Sequence, residues 1–215
     1  MTLKLFGKKN IIEVSVLEII LLVLKNYIQS KGVILMNYNE IINFDTGNCH
    51  GISVTLFVNG CHLHCPECHN KQTWDFDSGK LFTNDTIEEI LDKLKSPHIS
   101  YFVLSGGNPV EKENIEAVLN LCRRVKKLNK KIICYSGYTM EELKELYSKD
   151  KLSYFNYIID GRFDKAKILK GLDLRGSYNQ QCYENKDTYF LNISQKYFKE
   201  IYPNDVEQYH NKIFL

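Results

Sequence analysis

Three of the chain's seven cysteines, Cys61, Cys65 and Cys68, fall within eight residues of one another, directly after the run Val54-Thr55-Leu56-Phe57-Val58. That run is β-branched and aromatic, as a strand requires. Three thiolates at C-x3-C-x2-C spacing on one loop can hold three corners of a cubane 4Fe–4S cluster, whereas an electron carrier of this type takes four. A three-thiolate site leaves one iron open, and an open position is what substrate chemistry at a metal needs. The competing reading is a Cys3His zinc site completed by His62, His64 or His69. No second pair of ligands at finger spacing follows, and all three thiolates share one tight loop, which disfavours zinc. The histidines then read as polar loop residues. An odd cysteine count does not suit a secreted disulfide framework, while in a reducing cytosol such a crowd binds metal. Cys122 and Cys134 lie in apolar runs and read as buried, inert thiols.

Around this loop the hydrophobic period changes repeatedly. Strands are predicted at residues 40–44, 54–58, 99–104, 132–135 and 154–159. Helices are predicted at residues 86–95, with Ile87, Ile90, Leu91 and Leu94 on one face, at 113–128, with Ile115, Val118, Leu119 and Cys122, and at 140–147. Alternating strands and helices predict an α/β fold with a largely parallel sheet. The cysteine loop, Ser105-Gly106-Gly107, Ser136-Gly137 and Asp160-Gly161 each follow a predicted strand, and in a parallel barrel those ends share one face. Glycine at 106 and 107 would let the backbone approach a ligand closely. Apolar residues at 44% and charged residues at 25% are those of a globular protein. A net charge of +2 without a basic stripe gives no reason to expect nucleic acid.

The ends read differently. The apolar run at residues 14–24 is broken by Glu18 and is too short to span a bilayer. No small-residue cleavage site follows it. It is expected to be a short amphipathic helix, or else residues 1–35 are an upstream leader. Lys31-Gly32-Val33 could be encoded as a ribosome-binding sequence a few bases before Met36. Residues 183–215 show no clear period and are expected to form a tail of unknown role.

With these motifs in view, the chain resembles the radical S-adenosylmethionine (SAM) superfamily, and within it the activating proteins of anaerobic ribonucleoside-triphosphate reductases. C-x3-C-x2-C resembles the superfamily signature. Glu67 stands where most members have an aromatic, as this subgroup tolerates. Ser105-Gly106-Gly107-Asn108-Pro109 resembles its S-G-G-D/E-P, Ser136-Gly137-Tyr138 its T-G-Y, and Asp160-Gly161-Arg162-Phe163 its D-G-x-F. Arg175-Gly176-Ser177-Tyr178-Asn179-Gln180 resembles its R-G-S-S-N-Q. The resemblance runs in order from Met36 to Gln181, so residues 36–182 are expected to form the activase domain.

The resemblance implies a partial (β/α) barrel with Cys61, Cys65 and Cys68 as iron ligands and SAM on the fourth iron. SAM would be held around Glu67, Cys68, His69, Gly106, Gly107, Asn108 and Ser136. No side chain is expected to act as a catalyst, since cluster and SAM carry the chemistry. Reductive cleavage of SAM to a 5′-deoxyadenosyl radical would put a glycyl radical on the large subunit of the reductase. The electron would come from flavodoxin or a thioredoxin-linked donor, in the cytoplasm, without membrane or nucleic acid. Three alternatives stay open at this point: an activase of another glycyl-radical enzyme such as a pyruvate formate-lyase, a small-molecule enzyme such as a deazapurine synthase, and a metal-stabilised binding module. The chain departs from the family pattern at Asn108, where Asp or Glu is usual. It departs again at Ser53, where Arg is common, and around Cys49, which is assigned no role at the cluster.

Overall fold

The computed structural model describes residues 2–6, 11–15, 36–169, 172–187 and 189–194. The chain divides into two compact units, Met1–Leu35 and Met36–Leu215. In the first, β1 (Thr2–Phe6) and β2 (Ile11–Ser15) pair antiparallel, with Thr2 opposite Ser15 and Phe6 opposite Ile11. Val14 and Ser15, where the apolar run begins, are therefore strand. The remainder of the expected helix, and Lys31-Gly32-Val33, lie outside the described residues.

The second unit is built from β3 (Asn37–Asp45), β4 (Ser53–Val58), β5 (Lys80–Leu81), α1 (Asn84–Leu94), β6 (Tyr101–Gly106), α2 (Ile115–Lys126), β7 (Lys131–Tyr135), α3 (Met140–Leu146), α4 (Lys149–Leu152), β8 (Tyr157–Asp160), β9 (Gln181–Asn185) and β10 (Phe190–Asn192). Its strands form one sheet in the order β10-β9-β8-β7-β6-β4-β3-β5. The four central strands, β4, β6, β7 and β8, run parallel. Antiparallel strands flank them on both sides. This is the α/β architecture of an open, partial barrel, with the parallel order confined to its centre.

The central strands are buried almost end to end, which is why they read as continuous apolar runs. Two of the polar exceptions, Ser53 and Thr55, are wholly buried and find acceptors on Asp45: the Ser53 hydroxyl on its carbonyl at 3.1 Å, the Thr55 hydroxyl on its carboxylate. α1 and α2 present the expected faces to the sheet, α1 burying Ile87, Ile90, Leu91 and Leu94. Each such burial stabilises by about 1.5–3 kcal/mol. Reciprocal side-chain caps start α1 (Thr83 with Thr86) and α3 (Thr139 with Glu142), fixing where the helices leave the preceding loops. Among the described residues no helix is long and apolar enough to cross a membrane.

β9 and β10 were not expected. β9 runs across positions 182 and 183, so the segment read as a tail begins inside the sheet. Edge strands with one wet face carry polar residues, and Gln181-Cys182-Tyr183-Glu184-Asn185 gives no apolar run to read. Asp160, 2% exposed, clips this edge to the parallel centre: its Oδ1 accepts the Gln181 N–H at 2.9 Å and its Oδ2 the Met140 N–H at 2.6 Å. Burial pushes the Asp160 carboxyl up to about 6, against the two N–H groups that pull it down.

The native state therefore holds this proton more tightly than the unfolded chain. The associated stability is fully present below about pH 4 and is lost as pH rises through about 6. Asp160→Asn must turn an amide N–H toward one of two N–H donors. It is expected to cost about 1–3 kcal/mol at neutral pH and to flatten that pH dependence, as read by urea titrations between pH 4 and 8.

Candidate cluster site

The cysteine loop grows out of the end of β4 and is closed at its base by backbone bonds. Gly60 N–H donates to Thr73 C=O at 2.8 Å and Cys61 N–H to Trp74 C=O at 3.0 Å. Within the loop Cys68 N–H returns to Cys65 C=O at 3.1 Å. His64 and Glu67 take left-handed backbone, φ 44° and 59°, which reverses the chain on either side of Cys65. The three histidines lean on aromatic rings: His64 stacks on Trp74 at 4.6 Å, His62 lies against Phe76 at 4.6 Å and His69 against Phe163 at 4.5 Å.

Cys61, Cys65 and Cys68 all line one cleft of about 410 Å³. Ser105 and Gly106 at the end of β6 with Gly107 after it, Ser136 and Gly137 after β7, and Gly161 after β8 line the same cleft. Parallel register is what brings these strand ends to one edge. Arg175, Gly176 and Gln180 close the far side. That segment is tied to the loop after β8, Gln180 Nε2 donating to Gly161 C=O and Asn179 Nδ2 to Arg162 C=O, both at 2.8 Å. His69 also lines the cleft.

Two of the residues singled out from sequence do not line it. Glu67 is exposed and turns its side chain to Lys165, 3.4 Å away, leaving its main chain on the loop. Asn108 is 1% exposed and sits behind the glycines. The glycines themselves serve the stem of the cysteine loop. A Cβ on Gly106 would lie 2.6 Å from the Val58 oxygen, and one on Gly107 2.6 Å from the Gly60 oxygen and 2.9 Å from that of Thr73. Their bareness lets two backbones touch, a use of glycine beyond the expected approach to a ligand.

The donor set fits a three-thiolate cluster. Among the described residues, which include all seven cysteines, no fourth cysteine lines the cleft. Burial pushes the Cys61 and Cys65 thiols up; N–H groups of Leu63 and His64 on Cys61, and of Phe163 on Cys65, pull the other way. Asn70 N–H points at the Cys68 sulfur, 3.4 Å away. Thiols that resist ionising alone are deprotonated outright by a bound metal, and these N–H groups would then face thiolates. Cys122 and Cys134 are fully buried in the core, with burial pushing both thiols upward.

Two residues escaped the sequence reading. Arg175, 8% exposed, is the one Lys or Arg among the described lining residues, none of which carries a carboxylate. Its terminal nitrogens donate to Gln180 C=O at 3.2 Å and Ser194 C=O at 3.4 Å, while its Nε is buried without a partner. Glu111, 2% exposed, accepts the N–H of His62. The arginine stood inside a recognised motif; the glutamate had no local signal beyond its spacing of three from Asn108.

Residues 47–183 match the family described as 4Fe-4S single cluster domain. The chain is 38% identical over 154 residues to the anaerobic ribonucleoside-triphosphate reductase-activating protein of Enterobacteria phage T4, covering 71% of this chain and 96% of that one. The proteins of the same name from Vibrio cholerae and Escherichia coli K12 are 38% and 34% identical over 149 residues, covering 67% of this chain and 96% of each. Among solved structures, QueE from Escherichia coli superposes with a TM-score of 0.42 at 14% identity, over 65% of this chain and 76% of that one, a distant likeness only. With a three-cysteine cleft at the strand ends and these relatives matched over nearly their whole length, the chain belongs to the anaerobic ribonucleoside-triphosphate reductase-activating protein family.

Proposed function

We propose that this protein activates an anaerobic ribonucleoside-triphosphate reductase by generating a glycyl radical on its large subunit. It would do so as a radical SAM enzyme with a 4Fe–4S cluster on Cys61, Cys65 and Cys68. The observation that carries the reading is the meeting of three thiols, and no fourth, with the loops after β6, β7 and β8 in one cleft. Held by Cys61, Cys65 and Cys68, the cluster would supply the reducing chemistry for SAM cleavage that leads to hydrogen abstraction from a glycine of the reductase.

The chain's own residues bind and orient. Main-chain groups of residues 67–69 and 106–108, together with Ser136, hold SAM against the cluster. Ser136 Oγ already accepts the Tyr138 N–H at 3.0 Å, which fixes its position. Arg175 places a buried positive charge in a cleft that takes an anionic thiolate cluster and a ligand carboxylate. Leu63, Tyr135, Phe163, Leu172 and Leu174 give the cleft apolar wall, which keeps water from a reactive intermediate. A cytoplasmic, reducing setting and a donor such as flavodoxin complete the reading. Residues 36–182 would carry this activity.

Anaerobic reconstitution should give about four irons per chain with a broad absorbance near roughly 400 nm; zinc and no colour would dispose of the reading. With SAM, reductant and the candidate reductase, a glycyl radical should appear by electron paramagnetic resonance. A radical that forms on a pyruvate formate-lyase instead would move the partner to another glycyl-radical enzyme. Cys65→Ala is expected to abolish SAM cleavage and to lower iron content in the same preparation. Retained turnover would refute the ligand assignment.

A further inference from the structure

Three of the loops that build the cleft meet on one carboxylate. Glu111 Oε1 accepts the His62 N–H at 3.1 Å and the Asn108 amide at 3.2 Å, and its Oε2 accepts the Tyr138 hydroxyl at 2.8 Å. His62 follows the first cysteine of the triad, Asn108 ends the glycine loop, and Tyr138 belongs to Ser136-Gly137-Tyr138. The Glu111 N–H also returns to Asn108 C=O at 3.1 Å. Asn114 Nδ2 bridges Asn108 C=O and Asn59 C=O at 3.1 and 2.9 Å, so the same turn grips the stem of the cysteine loop. Because Glu111 takes the amide N–H, the group of Asn108 left over is its oxygen, buried and without a partner.

We propose that Glu111 is a positioning residue, paired with Asn108, that carries the acid which the family pattern places at position 108 and sets the cysteine and glycine loops for SAM. The inference rests on the SAM reading above. It explains how Asn108 is tolerated: the anion sits three residues on and uses the amide as a donor. Aspartate at 108, one of the two residues usual in the family pattern, would here put a carboxylate oxygen about 3.2 Å from Glu111 Oε1 with no hydrogen between them. Restoring the family pattern would then harm this chain.

The test is a four-way cycle on the reconstituted anaerobic protein: unmodified, Asn108→Asp, Glu111→Gln, and both together. SAM affinity is read by equilibrium dialysis and by the SAM-induced change in the cluster's electron paramagnetic resonance. Asn108→Asp is expected to weaken SAM binding about tenfold. Glu111→Gln alone should weaken it a few-fold, yet strengthen it when Asp already stands at 108, because the glutamine N–H then replaces a contact between two carboxylate oxygens, at the cost of the His62 bond to the same atom. A role confined to folding would show this reversal of sign in melting temperature but not in SAM affinity. Tyr138→Phe, which removes only the third donor, should weaken SAM binding a few-fold with iron content unchanged.

Undiminished binding by Asn108→Asp, or the same effect of Glu111→Gln in both backgrounds, overturns the proposal. Should Asn108→Asp fail to fold, undiminished SAM binding by Tyr138→Phe overturns it alone. Thermal melting of the four proteins without SAM reads the pair separately: Asn108→Asp should melt lower and the double variant should recover. If the unmodified protein holds iron but binds no SAM, the functional reading fails, whereas the melting cycle still reports on the Asn108–Glu111 pair.

Discussion

The cysteine loop lies where it does because the ends of β4 and β6 touch through bare backbone. Gly107 N–H donates to Val58 C=O and Asn108 N–H to Gly60 C=O, both at 2.8 Å. The adjacent strand ends are thereby stitched together one step past the regular ladder. A side chain at either 106 or 107 would occupy the space of the neighbouring carbonyls, so the contact exists only between glycines and a strand end. Opening it would displace Gly60, and with Gly60 the bonds to Thr73 and Trp74 that close the base of the loop. The direction in which Cys61 leaves the sheet follows from this contact.

Much of this was legible in the chain itself, for a physical reason. β4, β6, β7 and β8 are covered on both faces, so their residues are mostly apolar, with Ser53, Thr55, Ser105 and Asp160 as buried polar exceptions. α1 and α2 each bury a single stripe, which repeats at the helical period. The cysteine triad and the glycine pairs are local in sequence, so their chemistry can be read by spacing. Glu111 and Arg175 are different. A glutamate between a valine and a lysine reads as a solvated surface residue, and only the packing of His62, Asn108 and Tyr138 around it makes it an internal hydrogen-bond acceptor. β9 and β10 stayed hidden because a half-wet edge imposes no strict pattern on a short strand.

The departures from the family pattern are absorbed by rearranged hydrogen bonding. Ser53 is wholly buried beside Asp45, in a space that suits a small hydroxyl. Burial works to raise the Asp45 carboxyl, but bonds from Thr55, Asn48 and the Gly47 N–H outweigh it and hold the group below its usual range. The turn at residues 45–48 is thus organised around an ionised aspartate, and Gly47 and Asn48 from this turn help to line the cleft. The contact between His50 Nε2 and the Asp173 carboxylate then links that side of the cleft to the segment carrying Arg175.

The sheet ends, among the described residues, in very short strands, two residues in β5 and three in β10. An open sheet normally risks recruiting further strands along its free margins, and shortness there is one way to blunt that tendency. β5 covers only Asn37 and Tyr38 of β3, and the rest of that margin is broken by register shifts between Tyr38 and Glu40 and between Ile42 and Asp45, which makes it a poor template for fibril-like stacking. A protein that must keep one end of its sheet accessible to chemistry can therefore remain unclosed as a barrel and still discourage lateral self-assembly.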